Sequence, residues 1–283
     1  MRWEYHGSMG GTPRVVLSRP GWRLDYADEQ SAQDGKLCFA SPSADSSSSA
    51  SEPTAEIHWR RGDLSSWLAD RRASAPTGPT MPVLGAVAQV FDRPYNGLHT
   101  IVALWELDDR VFEFRARVVD LEAFVVVLDS LRRIEESEWL SALPADVVKP
   151  ADHEATVTAM LRGVTVPPGF EPNTIKGVGL VKDRYQFCAL VAGTVACTWF
   201  KRWSAARRDG DAAGVQEAID AMSTAKDWPV LREMAKKGAY PEVLERFAEA
   251  MPSGHWHGRP LEGDVNSGLG CLSLGVPLTD ETA

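Results

Sequence analysis

The sequence predicts an α+β fold, with an antiparallel sheet covered by two helices followed by an all-helical bundle domain. Three observations predict it. Apolar and polar residues alternate at a period of two in the first half, most plainly in FEFRARV at 112–118. Consecutive strands in that half are joined by turns too short for a crossover helix, which makes the sheet antiparallel. Near residue 136 the apolar spacing changes to the 3.6-residue repeat of helices.

Residues 1–12 read as a disordered start, and the sheet domain spans 13–135. Val15 and Leu17 begin a strand, Pro20-Gly21 turns it, and Trp22, Leu24 and Tyr26 then alternate with Arg23 and Asp25. Residues 36–39 form a third strand. The run SPSADSSSSASEP at 41–53 has nothing large to bury and reads as a flexible loop, with phosphorylation of its serines as the competing reading. A strand at 55–60 puts Ile57 and Trp59 on one face. Asp63 is suited to cap a helix at 64–72, on which Leu64, Trp67, Leu68 and Arg71 share a side. PTGP at 76–79 reads as a breaker before strands at 83–91, 98–107 and 111–118, the last two a hairpin through Asp108-Asp109-Arg110. Asp120 caps a helix at 121–133 whose apolar face is Phe124, Val125, Leu128 and Leu131. The expected order is thus ββ–β–β–α–β–β–β–α, with both helices covering the sheet.

The helical domain spans 136–251. Pro150 opens a helix at 151–162 that Gly163 stops, and VPPGF at 166–170 is a rigid turn. A long helix at 183–208 carries Tyr185, Cys188, Val191, Val195, Trp199 and Trp203 near one side. Its small residues Ala189, Gly193 and Cys197 would let another helix approach closely. Helices at 212–222, 229–237 and from Pro241 to Ala250 complete an orthogonal bundle. The glycine-rich tail, 252–283, reads as loosely ordered.

The charge balance excludes one class of partner. A formal charge of −9 disfavours phosphate-backbone binding, so no nucleic acid is expected. Lys201, Arg202, Arg207 and Arg208, beside Trp199 and Trp203, read as a core-facing helix with a basic C-terminal end rather than a nucleic-acid stripe. The longest apolar run, 187–200, would cover about 21 Å as a helix, short of a hydrocarbon core of about 30 Å. Residues 1–11, with Arg2, Glu4 and His6 and no apolar run, do not read as a secretory leader. As written, the chain reads as soluble and cytoplasmic, with no membrane span.

The four cysteines, Cys38, Cys188, Cys197 and Cys271, form no C-x-x-C pair and read as buried free thiols. Cys188 and Cys197 lie nine residues apart on one helix and cannot bond each other. His255 and His257 are the metal candidates, with Glu262 and Asp264 as nearby oxygens; a surface loop with incidental histidines is the competing reading. Gly177-Val178-Gly179 and Gly268-Leu269-Gly270 read as turns rather than phosphate loops. G-x-S-x-G and H-E-x-x-H are absent, so no catalytic residue is assigned and no cofactor is expected. Ten tryptophans suggest extensive aromatic packing and an apolar cleft.

Two resemblances arise from particular stretches. The order of elements over 13–135, with the Pro20-Gly21-Trp22 turn and the helix after FEFRARV, resembles the PsbP-like group of extracytoplasmic α/β domains. EWLSALPADVVKPAD (138–152), VPPGF (166–170), DRYQFCALVAGTVACTWFKRW (183–203) and LREMAKKGAYPEVLERFA (231–248) are similar to uncharacterised actinobacterial proteins. Those usually carry an N-terminal membrane anchor, which this chain as given lacks. The resemblance implies no activity, but implies an extracytoplasmic, membrane-anchored setting wherever such an anchor precedes. The function expected is non-enzymatic binding, sensing or interaction, with a small apolar ligand or a protein as partner. The alternatives are a hydrolase or transferase whose site is assembled from residues distant in sequence, and a purely partner-docking protein.

Overall fold

The computed structural model describes residues 14–31, 33–41, 54–95, 97–175, 177 and 179–278, and its fold is α+β. The expected disordered start at 1–12 and nearly all of the serine-rich loop lie outside the described residues. Two compact units result: one runs to Lys149 and takes in Leu180–Asp183, and the other comprises Pro150–Gly179 and the chain from Arg184 onward.

The first unit is built on seven antiparallel strands in the order β2-β3-β4-β8-β7-β6-β5. These are β2 (Arg23–Ser31), β3 (Asp34–Ala40), β4 (Thr54–Arg61), β5 (Thr77–Val83), β6 (Ala86–Tyr95), β7 (Leu98–Leu107) and β8 (Arg110–Val118). Asp108 and Asp109 both take positive φ, 47° and 63°, giving the left-handed two-residue turn that matches strand twist in the β7–β8 hairpin.

Two helices cover the sheet, one on each face. Helix α1 (Leu64–Ser74) starts at Asp63, whose carboxylate accepts from the amides of Ser65 and Ser66. It lays Leu64, Trp67 and Leu68 over Phe91, Val102, Leu104 and Val111. Helix α2 (Leu121–Leu128) buries Phe124, Val127 and Leu128 in the main core on the other face, where the Phe124 and Phe114 rings lie 5.7 Å apart. That core also needs Gly35: a Cβ there would lie 2.2 Å from the Trp59 ring.

Four expectations change in this unit. PTGP does not break the chain but begins β5, an edge strand, where prolines at 79 and 82 are tolerated because one side has no partner strand. The helix expected at 121–133 stops at Leu128, and β9 (Leu131–Ile134) instead pairs antiparallel with β1 (Arg14–Leu17). As a strand, Leu131 reaches the core while its backbone satisfies that of β1. Consequently β1 forms its own two-stranded sheet with β9 rather than joining β2. Finally, the change to helical texture at residue 136 is not the edge of the compact unit. Helix α3 (Glu136–Ala142) buries Trp139 in the sheet core, together with Leu143 and Val147.

The returning segment, residues 180–183, is stitched to β2. The Glu29 amide donates to the Val181 carbonyl at 2.7 Å, and the Val181 amide donates to the Glu29 carboxylate at 2.9 Å. That buried carboxylate also pairs with Arg14, which reaches Glu136 at 2.8 Å and stacks on Trp139 at 4.1 Å.

The second unit is helical: α4 (His153–Met160), α5 (Arg184–Asp209), α6 (Ala212–Ser223), α7 (Pro229–Met234), α8 (Tyr240–Ala250) and α9 (Leu261–Gly268), with a small hairpin of β10 (His255–Trp256) and β11 (Arg259–Pro260). The small-residue ridge on α5 does admit close neighbours. A Cβ on Gly193 would sit 2.4 Å from the Tyr240 hydroxyl and 2.9 Å from Leu274.

The described part of the tail expected to be loose, residues 252–278, is instead packed, since Leu261, Val265, Leu269, Cys271 and Leu278 are all buried. Its anchor overturns the free-thiol reading for two cysteines: Cys197 and Cys271 form a disulfide, while Cys38 and buried Cys188 remain thiols. No helix among the described residues is long and apolar enough to cross a membrane.

Candidate functional site

Alternation in β8 sends Phe112, Phe114 and Ala116 into the main core and Glu113, Arg115 and Arg117 to the α1 side of the sheet. Pairing carries this polar face outward in rows. The first row runs Thr54, Arg117, Thr100 and Arg93 across β4, β8, β7 and β6; the second runs Cys38, Glu56 and Arg115; the third runs Lys36, His58 and Glu113. Side chains directly opposite each other in such pairs have Cβ atoms about 5 Å apart.

The carboxylates of this face are enclosed by cations. Glu113 is 1% exposed and is contacted by Arg71 at 2.6 Å, Arg115 at 2.7 Å and Arg60 at 3.8 Å. Burial works against its charge, but Arg71 and Arg115 prevail and hold its pKa below the usual value. Glu56 lies 3.0 Å from His58, 3.1 Å from Lys36 and 3.9 Å from Arg115. The hydrogen bond from His58, helped by Lys36 against burial, lowers its pKa to about 2. Toward β2, burial raises Asp28 to about 6, only partly offset by Lys182 at 3.4 Å.

The first row differs. Arg117 is half-buried between two threonines and makes no ion pair or hydrogen bond among the described residues. Arg93 is exposed and donates to the Ser74 carbonyl, at the C-terminal end of α1, over 2.9 Å. No carboxylate belongs to this row. Across β3, β4, β8, β7 and β6 the three rows hold Lys36, Arg93, Arg115 and Arg117, and Arg71 reaches in from α1, against Glu56 and Glu113. Cations thus outnumber carboxylates on this stretch of the face, in a chain whose formal charge is −9.

A nucleophilic site is poorly served here. Burial pushes the Cys38 thiol up to about 11 despite Lys36, so it stays protonated at neutral pH, and the neighbouring His58 ring is engaged by Glu56. Guanidinium and hydroxyl donors are instead the groups that receive an oxyanion, with arginine able to do so bidentately.

No family model, curated protein or solved structure matches the chain. What it does is therefore read from its own chemistry.

The metal candidates do not converge. His255 is exposed, its Nδ1 lying 2.8 Å from the Ser253 carbonyl, and His257 takes φ +48° with its ring 4.7 Å from Trp256. Glu262 faces Ser204 at 3.3 Å and Arg207 at 4.0 Å, and Asp264 pairs with Arg259 at 2.8 Å. Their oxygens are thus engaged by other partners, and no group of three or more His, Cys, Asp or Glu gathers among the described residues.

Gly177 and Gly270 are left-handed turn glycines, with φ near 76° and 71°. The basic end of α5 is engaged within its own unit, with Arg202 on Glu217 and Arg207 over the Trp203 ring. The aromatic wealth is mostly core. Trp59, Trp105 and Trp139 are buried in the sheet unit, and Trp199, Trp203 and Trp228 in the helical one. Sequence reasoning missed the arginine row. FEFRARV already placed two arginines on one side of a strand, but the threonine neighbours come from strand register.

Proposed function

We propose that this chain is a non-enzymatic binding protein whose ligand carries a small oxyanion, a phosphate or carboxylate group, received on the sheet face at Arg117. The observation that carries this is the half-buried Arg117, flanked by Thr54 and Thr100 and without an acidic partner among the described residues. Partial burial without a counter-charge is unfavourable, and a ligand oxyanion would relieve it through charge-assisted hydrogen bonds. Arg93 and Arg115 add positive potential on either side.

A polar, anionic ligand thus replaces the small apolar one that the tryptophan content suggested. A hydrolase or transferase assembled from residues distant in sequence is the competing proposal, and the protonated Cys38 thiol counts against it.

Calorimetric titration of the full chain with inorganic phosphate, and separately with a dicarboxylate, tests the reading. Saturable binding of at least one is expected. Arg117→Gln should weaken it about tenfold or more, the loss of a charged hydrogen-bond partner, while Arg246→Gln, at an exposed position of α8, leaves it unchanged. Absence of saturation with both anions, or equal affinity in Arg117→Gln, would refute it.

A further inference from the structure

Cys197 lies within α5 and Cys271 just beyond α9, with Cα atoms 5.6 Å apart and 74 positions between them in sequence. Both are fully buried. The segment that delivers Cys271 closes over α5 along its length. Trp256 packs edge-on against Phe247 with ring centroids 5.3 Å apart, and the Leu278 amide donates to the Asn266 side chain at 3.1 Å. Leu274 fills the space that Gly193 leaves, and Gly254 sits so close to the Arg207 guanidinium that a Cβ there would be 2.0 Å from it.

We infer that oxidation of Cys197 and Cys271 is a maturation step that fastens the C-terminal segment onto α5, and that this protein works where thiols are oxidised. The chemistry is thiol–disulfide exchange with an acceptor disulfide, carried by a protein or a small molecule. One cysteine, as its thiolate, attacks the acceptor and forms a mixed disulfide, releasing one acceptor thiol. The second cysteine attacks that mixed disulfide, forms the Cys197–Cys271 bond and releases the other thiol. Two protein thiols are oxidised by two electrons, the acceptor disulfide is reduced to two thiols, and the two protons pass to it.

Burial sets the order of events. No acceptor reaches either sulfur once the segment is docked, so exchange precedes closure. The same burial then shields the bond from reductants, which makes it a permanent fastening rather than a switch. Reducing compartments keep thiols from pairing in this way, whereas secreted and cell-surface settings allow it. Cys38 and Cys188 are left as thiols; Cys188, nine residues before Cys197 on the same helix, cannot bond to it.

The test is a thiol count on the full chain, made once in an oxidising cellular compartment and once in a reducing one. Alkylation in denaturant followed by intact mass should find two thiols in the first preparation and four in the second, matching the one disulfide and two free cysteines. A non-reducing digest of the first should yield one cross-linked peptide pair containing Cys197 and Cys271. Dithiothreitol should reduce the folded protein roughly tenfold or more slowly than the unfolded one, because reduction requires opening. Four thiols from the oxidising compartment, a different cross-link, or equal reduction rates with and without denaturant would overturn the inference. Cys271→Ser should expose the segment beyond Pro252 to protease; if that variant does not accumulate, the thiol count on the native sequence decides alone.

Discussion

Replacing both Cys197 and Cys271 with alanine removes a cross-link that closes a loop of 74 residues. In the chain-entropy treatment, a loop of that length restrains the unfolded chain by about 4 kcal/mol at room temperature. The alanines fit the buried sites without adding a polar group, so the loss is mainly that entropy plus a small packing defect. Hydrogen exchange reads it directly. Amides of α5 that open only on unfolding should exchange about a thousandfold faster, since each 1.4 kcal/mol is roughly a factor of ten. Amides of β7 and β8, in the other compact unit, serve as the internal reference. An acceleration below about tenfold in α5 would mean that the bond restrains little of the unfolded chain, and the reasoning would fail.

Three further outcomes test the sheet unit. Glu113→Gln leaves Arg60, Arg71 and Arg115 without the carboxylate they enclose and should destabilise by about 2–3 kcal/mol, less than a fully buried pair because the arginines are partly exposed; urea midpoints measure it. Because the Glu113 pKa is lowered on folding, that contribution is present above the unfolded value near 4 and is lost as pH falls through the folded one. Gly35→Ala drives a methyl into the Trp59 ring and should cost about 1–3 kcal/mol, with an unchanged melting temperature as the contrary result. Asp28 titrates at about 6 when folded, so the folded state binds its proton more tightly than the unfolded chain does. Stability from this group is greatest at low pH and declines as pH rises from about 4 to 6. Relative to Asp28→Asn, the native protein should therefore lose ground across that window, and parallel pH profiles would contradict the assignment.

Local chemistry made most of the fold legible. Asp63 and Asp120 were readable as caps, FEFRARV as a strand with one buried face, and Gly163 and Pro241 as helix punctuation, because each acts within a few residues. What escaped depends on partners distant in sequence. Leu131 is as acceptable on a helix face as on a strand, and only β1 decides between them. Pro79 and Pro82 are forbidding in a central strand and harmless at an edge, and edge position is a property of the whole sheet. Cys271 resembles any tail cysteine until the segment after Pro252 folds back onto α5. The arginine row was half readable. Alternation put Arg115 on the same side as Arg117, while Thr54, Thr100 and Arg93 join Arg117 through pairings across three strands.

The most direct test of the binding reading watches the Arg117 guanidinium itself. In nitrogen-15 spectra of the full chain, its Nε–H resonance, assigned by its loss in Arg117→Gln, should shift saturably as phosphate or a dicarboxylate is added. The exposed Arg246 resonance should move only with ionic strength. An Arg117 signal that moves no more than that of Arg246 with either anion would contradict the account.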